Sequence, residues 1–144
     1  MPEARAYVDT SVLGAYYCPE ALSAAAEKAL VALREPVIST LTEVELTSLV
    51  MRKRRMRELS AHQANEVLQL FHVHMEDGFF RRIALGTEHF IRARDLIARM
   101  TGSLRTLDAL HLAAAIDEKL PLLTADRDLY RAARHRKADA ILLV

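Results

Sequence analysis

Residues 107–126, LDALHLAAAIDEKLPLLTAD, contain the two kinds of element that decide the fold. Over residues 107–120 the apolar side chains recur at helical spacing, which predicts a helix. The run Leu122-Leu123-Thr124 that follows is short and apolar without alternation, as is typical of a strand buried on both faces. A helix that leads into a buried strand is the repeating unit of a parallel α/β sheet.

The same pattern extends towards both ends of the chain. Further strands are predicted at residues 6–8, 37–39 and 140–144, with a weaker one at 82–85. Helical periodicity covers residues 21–35, 42–57, 60–76, 88–100 and 128–134, and we expect Pro36 to end the first of these helices. Strands that alternate with helices favour the α/β class, here a three-layer α/β/α sandwich around a parallel sheet, built as one domain over residues 1–144.

The composition excludes several classes of protein. With 51% hydrophobic and 27% charged residues, the chain is neither disordered nor of low complexity. Its one cysteine, Cys18, rules out an internal disulfide scaffold. The sequence has no apolar run of membrane-spanning length, and its first five residues, MPEAR, do not resemble a signal peptide. We therefore expect a cytoplasmic protein with no membrane partner.

Acidic side chains follow the predicted strands at one edge of the sheet. Asp9 follows the first strand and Asp126 the strand at 122–124, while Glu43 and Asp108 fall in the first turns of helices. Ligands of open parallel sheets bind beyond the carboxyl ends of the strands, so we expect these four carboxylates to converge there. Taken singly, each has a structural explanation as a helix cap or first-turn acid, and Thr40-x-x-Glu43 matches a capping box.

Four converging carboxylates repel one another, and a divalent cation relieves that repulsion. Oxygen ligands suit Mg²⁺ or Mn²⁺ rather than Zn²⁺, and the hydroxyls of Thr10, Ser11 and Thr124 are placed to orient the acids. Asp128 and His111 stay open as further members of the site. Glu45 is set aside, because two residues along a helix bring it to another face than Glu43.

The basic residues suit a polyanionic substrate near that pocket. The chain has 20 Lys and Arg against 19 Asp and Glu, so four acids gathered in one pocket leave an excess of five basic residues elsewhere. One cluster, Arg52, Lys53, Arg54 and Arg55, ends the helix that carries Glu43, and we expect it to contact phosphates that flank the pocket. The alternative is an ordinary solvated helix end.

Four strings of the sequence resemble the PIN-domain nucleases, in particular the toxin component of VapBC-type toxin–antitoxin pairs. They are Tyr7-Val8-Asp9-Thr10-Ser11, Glu43-Val44-Glu45-Leu46, Leu107-Asp108-Ala109-Leu110-His111-Leu112-Ala113 and Thr124-Ala125-Asp126-Arg127-Asp128-Leu129. The resemblance implies a five-stranded parallel sheet and Mg²⁺-dependent endoribonuclease activity, with Asp9, Glu43, Asp108 and Asp126 as catalytic metal ligands. The implied RNA products carry 5′-phosphate and 3′-hydroxyl ends.

The same resemblance implies a cognate antitoxin as protein partner, and we also expect a homodimer. A PIN-like RNA-binding or protein-interaction module that does not cleave is the alternative function. Degenerate members of such a fold usually lose acids, whereas this chain has an acid at all four positions.

Overall fold

The computed structural model describes residues 4–100 and 102–144; Met1, Pro2 and Glu3 of the N-terminal segment discussed above and Thr101 lie outside them. Strands and helices alternate along most of the chain. The strands are β1 (Arg5–Val8), β2 (Glu35–Ser39), β3 (Arg81–Ile83), β4 (Leu122–Thr124) and β5 (Ala140–Leu142). The helices are α1 (Thr10–Tyr17), α2 (Ser23–Val31), α3 (Thr40–Arg55), α4 (Ala61–Glu76), α5 (Thr87–Arg99), α6 (Thr106–Asp117) and α7 (Arg127–His135).

The five strands form one sheet in the order β3-β2-β1-β4-β5, and all four pairings are parallel. Tyr7 of β1 is in register with Val37 on one side and Leu122 on the other. From β1 the chain proceeds outwards through β2 to β3 and then returns to the other side of β1 for β4 and β5. The strand order therefore reverses between β1 and β4, and a ligand crevice is expected at such a point. The predicted α/β/α fold with a parallel sheet is confirmed.

Side chains of β1 alternate between the two faces of the sheet and enter two separate cores. Ala6 and Val8 pack in the core beneath α1, α2, α3 and α4, whereas Tyr7 packs on the opposite face with residues of α5, α6 and α7. Both faces of the strand are therefore buried, which explains its unalternating apolar sequence. The alternation also puts the Tyr7 hydroxyl under α6, next to His111.

Two details of the predicted elements are wrong. Helix α1 was not predicted; it starts directly after β1, and its eight residues are too few for a clear periodic pattern. The predicted helix over 21–35 ends at Val31, and Pro36 lies inside β2. Pairing of β2 with β3 starts only at Val37, so the missing N–H of Pro36 removes no bond between these strands.

Helix α1 packs closely on α3. A Cβ on Gly14 would lie 3.1 Å from Leu49 Cδ1, so an alanine there would require the Leu49 side chain to shift by a few tenths of an ångström. This approach brings the first turn of α1 next to the side chains of α3. Within the described residues, no helix has both the length and the apolar content that a membrane crossing requires.

Candidate metal centre

Four carboxylates line one pocket at the carboxyl edge of the sheet. Asp9 follows β1, Asp126 follows the neighbouring strand β4, Asp108 lies in the first turn of α6, and Glu45 comes from α3. The pocket has a volume of about 380 Å³. Its remaining walls are formed by Thr10, Ser11, Ser48, Leu49, Arg52, Arg105 and Leu107.

Asp9 is held through one of its two carboxylate oxygens. Oδ2 accepts hydrogen bonds from Ser11 Oγ (2.6 Å) and Thr124 Oγ1 (2.9 Å). The same two hydroxyls accept backbone N–H groups of the loop after β4, from Ala125 to Ser11 and from Asp126 to Thr124. Thr124 and Ser11 therefore join the ends of β1 and β4 and hold Asp9 Oδ2 in place.

Glu45 is held in the same way, through Oε1 alone. Thr10 Oγ1 donates to Oε1 at 2.7 Å, and His111 Nε2 is hydrogen-bonded to the same oxygen. Burial acts to raise the pKa of Glu45, but the hydrogen bond and positive charge of His111 outweigh it and lower the pKa below its usual range. Glu45 is consequently a fixed, ionised carboxylate at neutral pH.

The exposed guanidinium of Arg105 bridges Asp126 and Asp108. Asp126 Oδ1 caps α7 by accepting the N–H groups of Asp128 (2.8 Å) and Leu129 (3.2 Å). Its Oδ2 lies 3.3 Å from Arg105 Nη2, and the same nitrogen lies 3.2 Å from Asp108 Oδ2. The Arg105 side chain is 75% exposed, so this bridge is weak and easily exchanged.

The charges around the pocket shift the ionisation of its members. Burial raises the pKa of Asp108, and the carboxylates of Asp9 and Asp126 raise it further, against the effect of Arg105. Burial would lower the pKa of His111, but the Glu45 hydrogen bond and the charge of Asp9 outweigh it and raise the pKa. The pocket therefore has an excess of negative charge that draws positive groups towards it.

The structure does not bring Glu43 to this pocket. Its carboxylate accepts two hydrogen bonds from Arg82 Nη1, at 3.0 and 3.1 Å, on the side of α3 that faces β3. Glu43 lines a different cavity with Arg82, Phe71 and Phe80. Successive helical residues are about 100° apart, so Glu43 and Glu45 point about 160° away from each other and only one can face α1 and α6. The acid that α3 contributes is Glu45.

The basic cluster at the end of α3 is divided among different surroundings. Arg52 lines the acidic pocket, seven residues and thus two helical turns after Glu45. Lys53 pairs with Glu58 at 3.3 Å and Glu20 at 3.8 Å. Arg54 and Arg55 are exposed. Arg52 is thus the member of the cluster that is nearest the carboxylates.

Three members of the site were missed or left open in the sequence. Glu45 could have been found by asking which residues share the helix face of Arg52, whereas His111 gave no signal beyond its place one turn after Asp108. Arg105, just before α6, was not singled out. Asp128 points elsewhere: it pairs with Arg131 at 2.6 Å and lines a separate cavity.

The donor set of the pocket fits a hard divalent cation. Asp9 Oδ1 and Glu45 Oε2 have no hydrogen-bond partner within residues 4–100 and 102–144, and the pocket-facing oxygens of Asp108 and Asp126 are held only by Arg105. In this arrangement, no three His, Cys, Asp or Glu side chains among the described residues are set to hold a metal. The exposed Arg105 guanidinium bridges the oxygens of Asp108 and Asp126 that face the pocket, so a divalent cation bound to these carboxylates, as Mg²⁺ prefers, would replace it there.

Comparisons with known proteins agree with this fold. The structure is similar to Mycobacterium tuberculosis VapC20, a sarcin-ricin loop cleaving toxin, with a TM-score of 0.70, 17% identity and coverage of 88% of this chain and 93% of that one. A toxin–antitoxin complex from Klebsiella pneumoniae gives a TM-score of 0.62 and 22% identity over 87% of this chain and 89% of that one. FitAcB from Neisseria gonorrhoeae gives a TM-score of 0.68 and 18% identity over 94% of this chain and 95% of that one.

No curated protein shows significant sequence similarity to the chain. The profile of the PIN domain family, however, matches residues 6–135. That span begins in β1 and ends with α7, so it includes every residue of the acidic pocket. The chain belongs to the PIN domain family.

Proposed function

We propose that this protein is a Mg²⁺-dependent endoribonuclease and the toxin of a toxin–antitoxin pair. The observation that carries the proposal is the arrangement of oxygens in the pocket. Asp9 and Glu45 each have one carboxylate oxygen held by protein donors and the other free of hydrogen bonds within the described residues. Such half-held carboxylates are ready to bind a cation without losing their orientation.

In this proposal Asp9, Glu45, Asp108 and Asp126 hold Mg²⁺, with Mn²⁺ as a substitute. A bound divalent ion lowers the pKa of a water ligand and polarises the scissile phosphate. Arg105 leaves the pocket side of Asp108 and Asp126 and offers its charge to the RNA backbone. Thr10, Ser11 and Thr124 keep the acids aligned, and Arg52 binds a phosphate beside the scissile one.

RNA as substrate and an antitoxin as partner are supported by family membership and by the similar structures, one described as a sarcin-ricin loop cleaving toxin and another as a toxin–antitoxin complex. Expression of the chain alone is then expected to arrest growth, and co-expression of the neighbouring antitoxin gene is expected to relieve the arrest. The homodimer stays a prediction.

The test of the proposed activity is cleavage of labelled RNA by the purified protein with Mg²⁺ and with EDTA. We expect cleavage only with the metal, and new ends that carry a 5′-phosphate. Asp9→Asn should abolish cleavage without unfolding the protein, because it removes one negative charge from a crowded pocket. RNA binding without cleavage under all metal conditions would instead support the non-cleaving module.

A further inference from the structure

A row of hydrogen-bonded side chains lies beneath the acidic pocket and ends at Glu45. The proposed function assigns no role to the other members of this row. The Tyr7 hydroxyl is 2.8 Å from Ser39 Oγ and 2.6 Å from His111 Nδ1. The opposite ring nitrogen of His111, Nε2, is hydrogen-bonded to Glu45 Oε1. Tyr7 is 0% exposed and His111 1%, so solvent does not compete for these bonds.

The chemistry of the partners fixes the direction of the last bond. An ionised carboxylate can only accept a hydrogen bond, so His111 Nε2 carries a proton whether the ring is neutral or charged. Nδ1 then accepts from the Tyr7 hydroxyl in the neutral ring and donates to it in the charged ring. In both states the imidazole is held at both nitrogens and cannot turn.

This row is hydrogen-bonded to one oxygen of Glu45, and His111 Nε2 also lies 3.8 Å from Asp9 Oδ1. His111 and Thr10 both bond Oε1, which fixes the carboxylate plane and leaves Oε2 without a partner in the described part of the chain. A glutamate has three rotatable side-chain bonds, and a ligand that binds an unrestrained one must also order it. A carboxylate that is already fixed binds a cation with less loss of conformational entropy.

We propose that Tyr7 and His111 are positioning residues that aim Glu45 at a divalent cation in the pocket. The proposal rests on the proposed function, since it requires that Glu45 be a metal ligand. Residues that orient a metal ligand typically contribute about 10–100-fold to affinity. The Tyr7 hydroxyl reaches Glu45 through two successive hydrogen bonds, so we expect it to contribute about tenfold to the affinity for the cation, at the lower end of this range.

The test measures Mn²⁺ affinity by titration calorimetry in wild type, Tyr7→Phe, Glu45→Ala and the double variant. We expect Tyr7→Phe to weaken binding by about tenfold in the wild-type background and by less than twofold in the Glu45→Ala background. Equal losses in both backgrounds would show that Tyr7 acts through packing rather than through Glu45, and would overturn the proposal. So would an unchanged affinity of Tyr7→Phe.

The chain offers a matched control. The Tyr17 hydroxyl lies 2.6 Å from His74 Nδ1, the same bond between the same residue types, but within the described residues no hydrogen bond joins this pair to a carboxylate of the acidic pocket. Tyr17→Phe is expected to change thermal stability and leave Mn²⁺ affinity unchanged. If Tyr7→Phe does not fold, His111→Gln and His111→Leu replace it: the glutamine keeps an N–H donor and should retain more affinity than the leucine, and equal affinities would contradict the role.

The outcomes separate this inference from the proposed function. If wild type binds no Mn²⁺, the proposed metal centre fails and the positioning role fails with it. If wild type binds Mn²⁺ but none of the substitutions at Tyr7 and His111 changes the affinity, only the positioning role fails. The ¹⁵N spectrum of the metal-free protein gives an independent check, because an unprotonated Nε2 on His111 would contradict the arrangement directly.

Discussion

Glu43 and Glu45 lie two residues apart on α3, and substitution of each by glutamine tests which one serves the pocket. Glu45→Gln removes the charge that His111 is bonded to, and a hydrogen bond to a charged group contributes about 1.5–3 kcal/mol. Glu43→Gln removes an ion pair whose partners, Glu43 and Arg82, are 30% and 52% exposed, and such pairs contribute about 0–1 kcal/mol. The two variants have the same shape change and the same charge change.

The expected results differ in both stability and metal binding. At about 2–4 °C for each kcal/mol, Glu45→Gln should lower the melting temperature of the metal-free protein by about 3–12 °C and Glu43→Gln by at most about 4 °C. Loss of a ligand carboxylate should weaken Mn²⁺ binding at least about tenfold, or 1.4 kcal/mol, for Glu45 only. Calorimetric titration, thermal unfolding and RNA cleavage are measured side by side. Weaker Mn²⁺ binding by Glu43→Gln than by Glu45→Gln would refute the assignment of the pocket to Glu45.

Three further outcomes are expected. Asp108→Asn should abolish cleavage but change the free energy of unfolding of the metal-free protein by less than about 1 kcal/mol, because relief of carboxylate repulsion offsets the loss of the exposed ion pair with Arg105. A much larger loss of unfolding free energy, measured by chemical denaturation, would contradict this. Arg52→Gln should raise KM for RNA, leave kcat nearly unchanged and reduce the salt dependence of RNA binding by about one released ion. Each of the effects on KM and salt dependence should be larger than that of Arg54→Gln, and a lowered kcat would contradict a contact with a flanking phosphate. In EDTA, the free energy of unfolding should fall as the pH rises from the ordinary histidine pKa of 6.5 through the raised pKa of His111. The reason is that the folded protein binds this proton more tightly than the unfolded chain does, so His111→Gln should remove the decline.

The fold could be predicted because its signals are local. Each buried strand is a short apolar run, each long helix has a periodic apolar face, and the parallel sheet follows from their alternation. The acids at the ends of β1 and β4 could be located for the same reason, since neighbouring parallel strands end at one edge. Helix α1 could not be predicted in this way, because its eight residues between Asp9 and Cys18 are too few to show a periodic apolar face.

The rotation of α3 about its own axis decides whether Glu43 or Glu45 faces the pocket. Val44 of this helix is 67% exposed, while Leu46 and Val50 are fully buried. With Leu46 and Val50 buried, Glu45 lies at the pocket and Glu43 contacts Arg82. The periodicity of a helix indicates which of its faces is buried, but it does not indicate which neighbouring element lies beside each flank of that face.

The support beneath Glu45 was hidden for a related reason. Tyr7 and His111 are 104 residues apart in the chain, and each resembles an ordinary core residue within its own element. Only the stacking of α6 over β1 brings the phenol to the imidazole. Polar networks of this kind follow from the tertiary arrangement and cannot be obtained from either segment separately.

Asp126 has two duties, since one oxygen caps α7 and the other faces the pocket. Loss of a cap costs about 0.5–2 kcal/mol, a change large enough to lower the amount of a protein in cells several-fold. If the protein is the proposed toxin, we expect a genetic selection for survivors to give Asp126→Ala variants that are scarce in the cell as well as inactive, and Asp108→Asn variants that accumulate intact. Immunoblots of the survivors separate the two groups, and only the second group can still titrate a binding partner away from the wild-type protein.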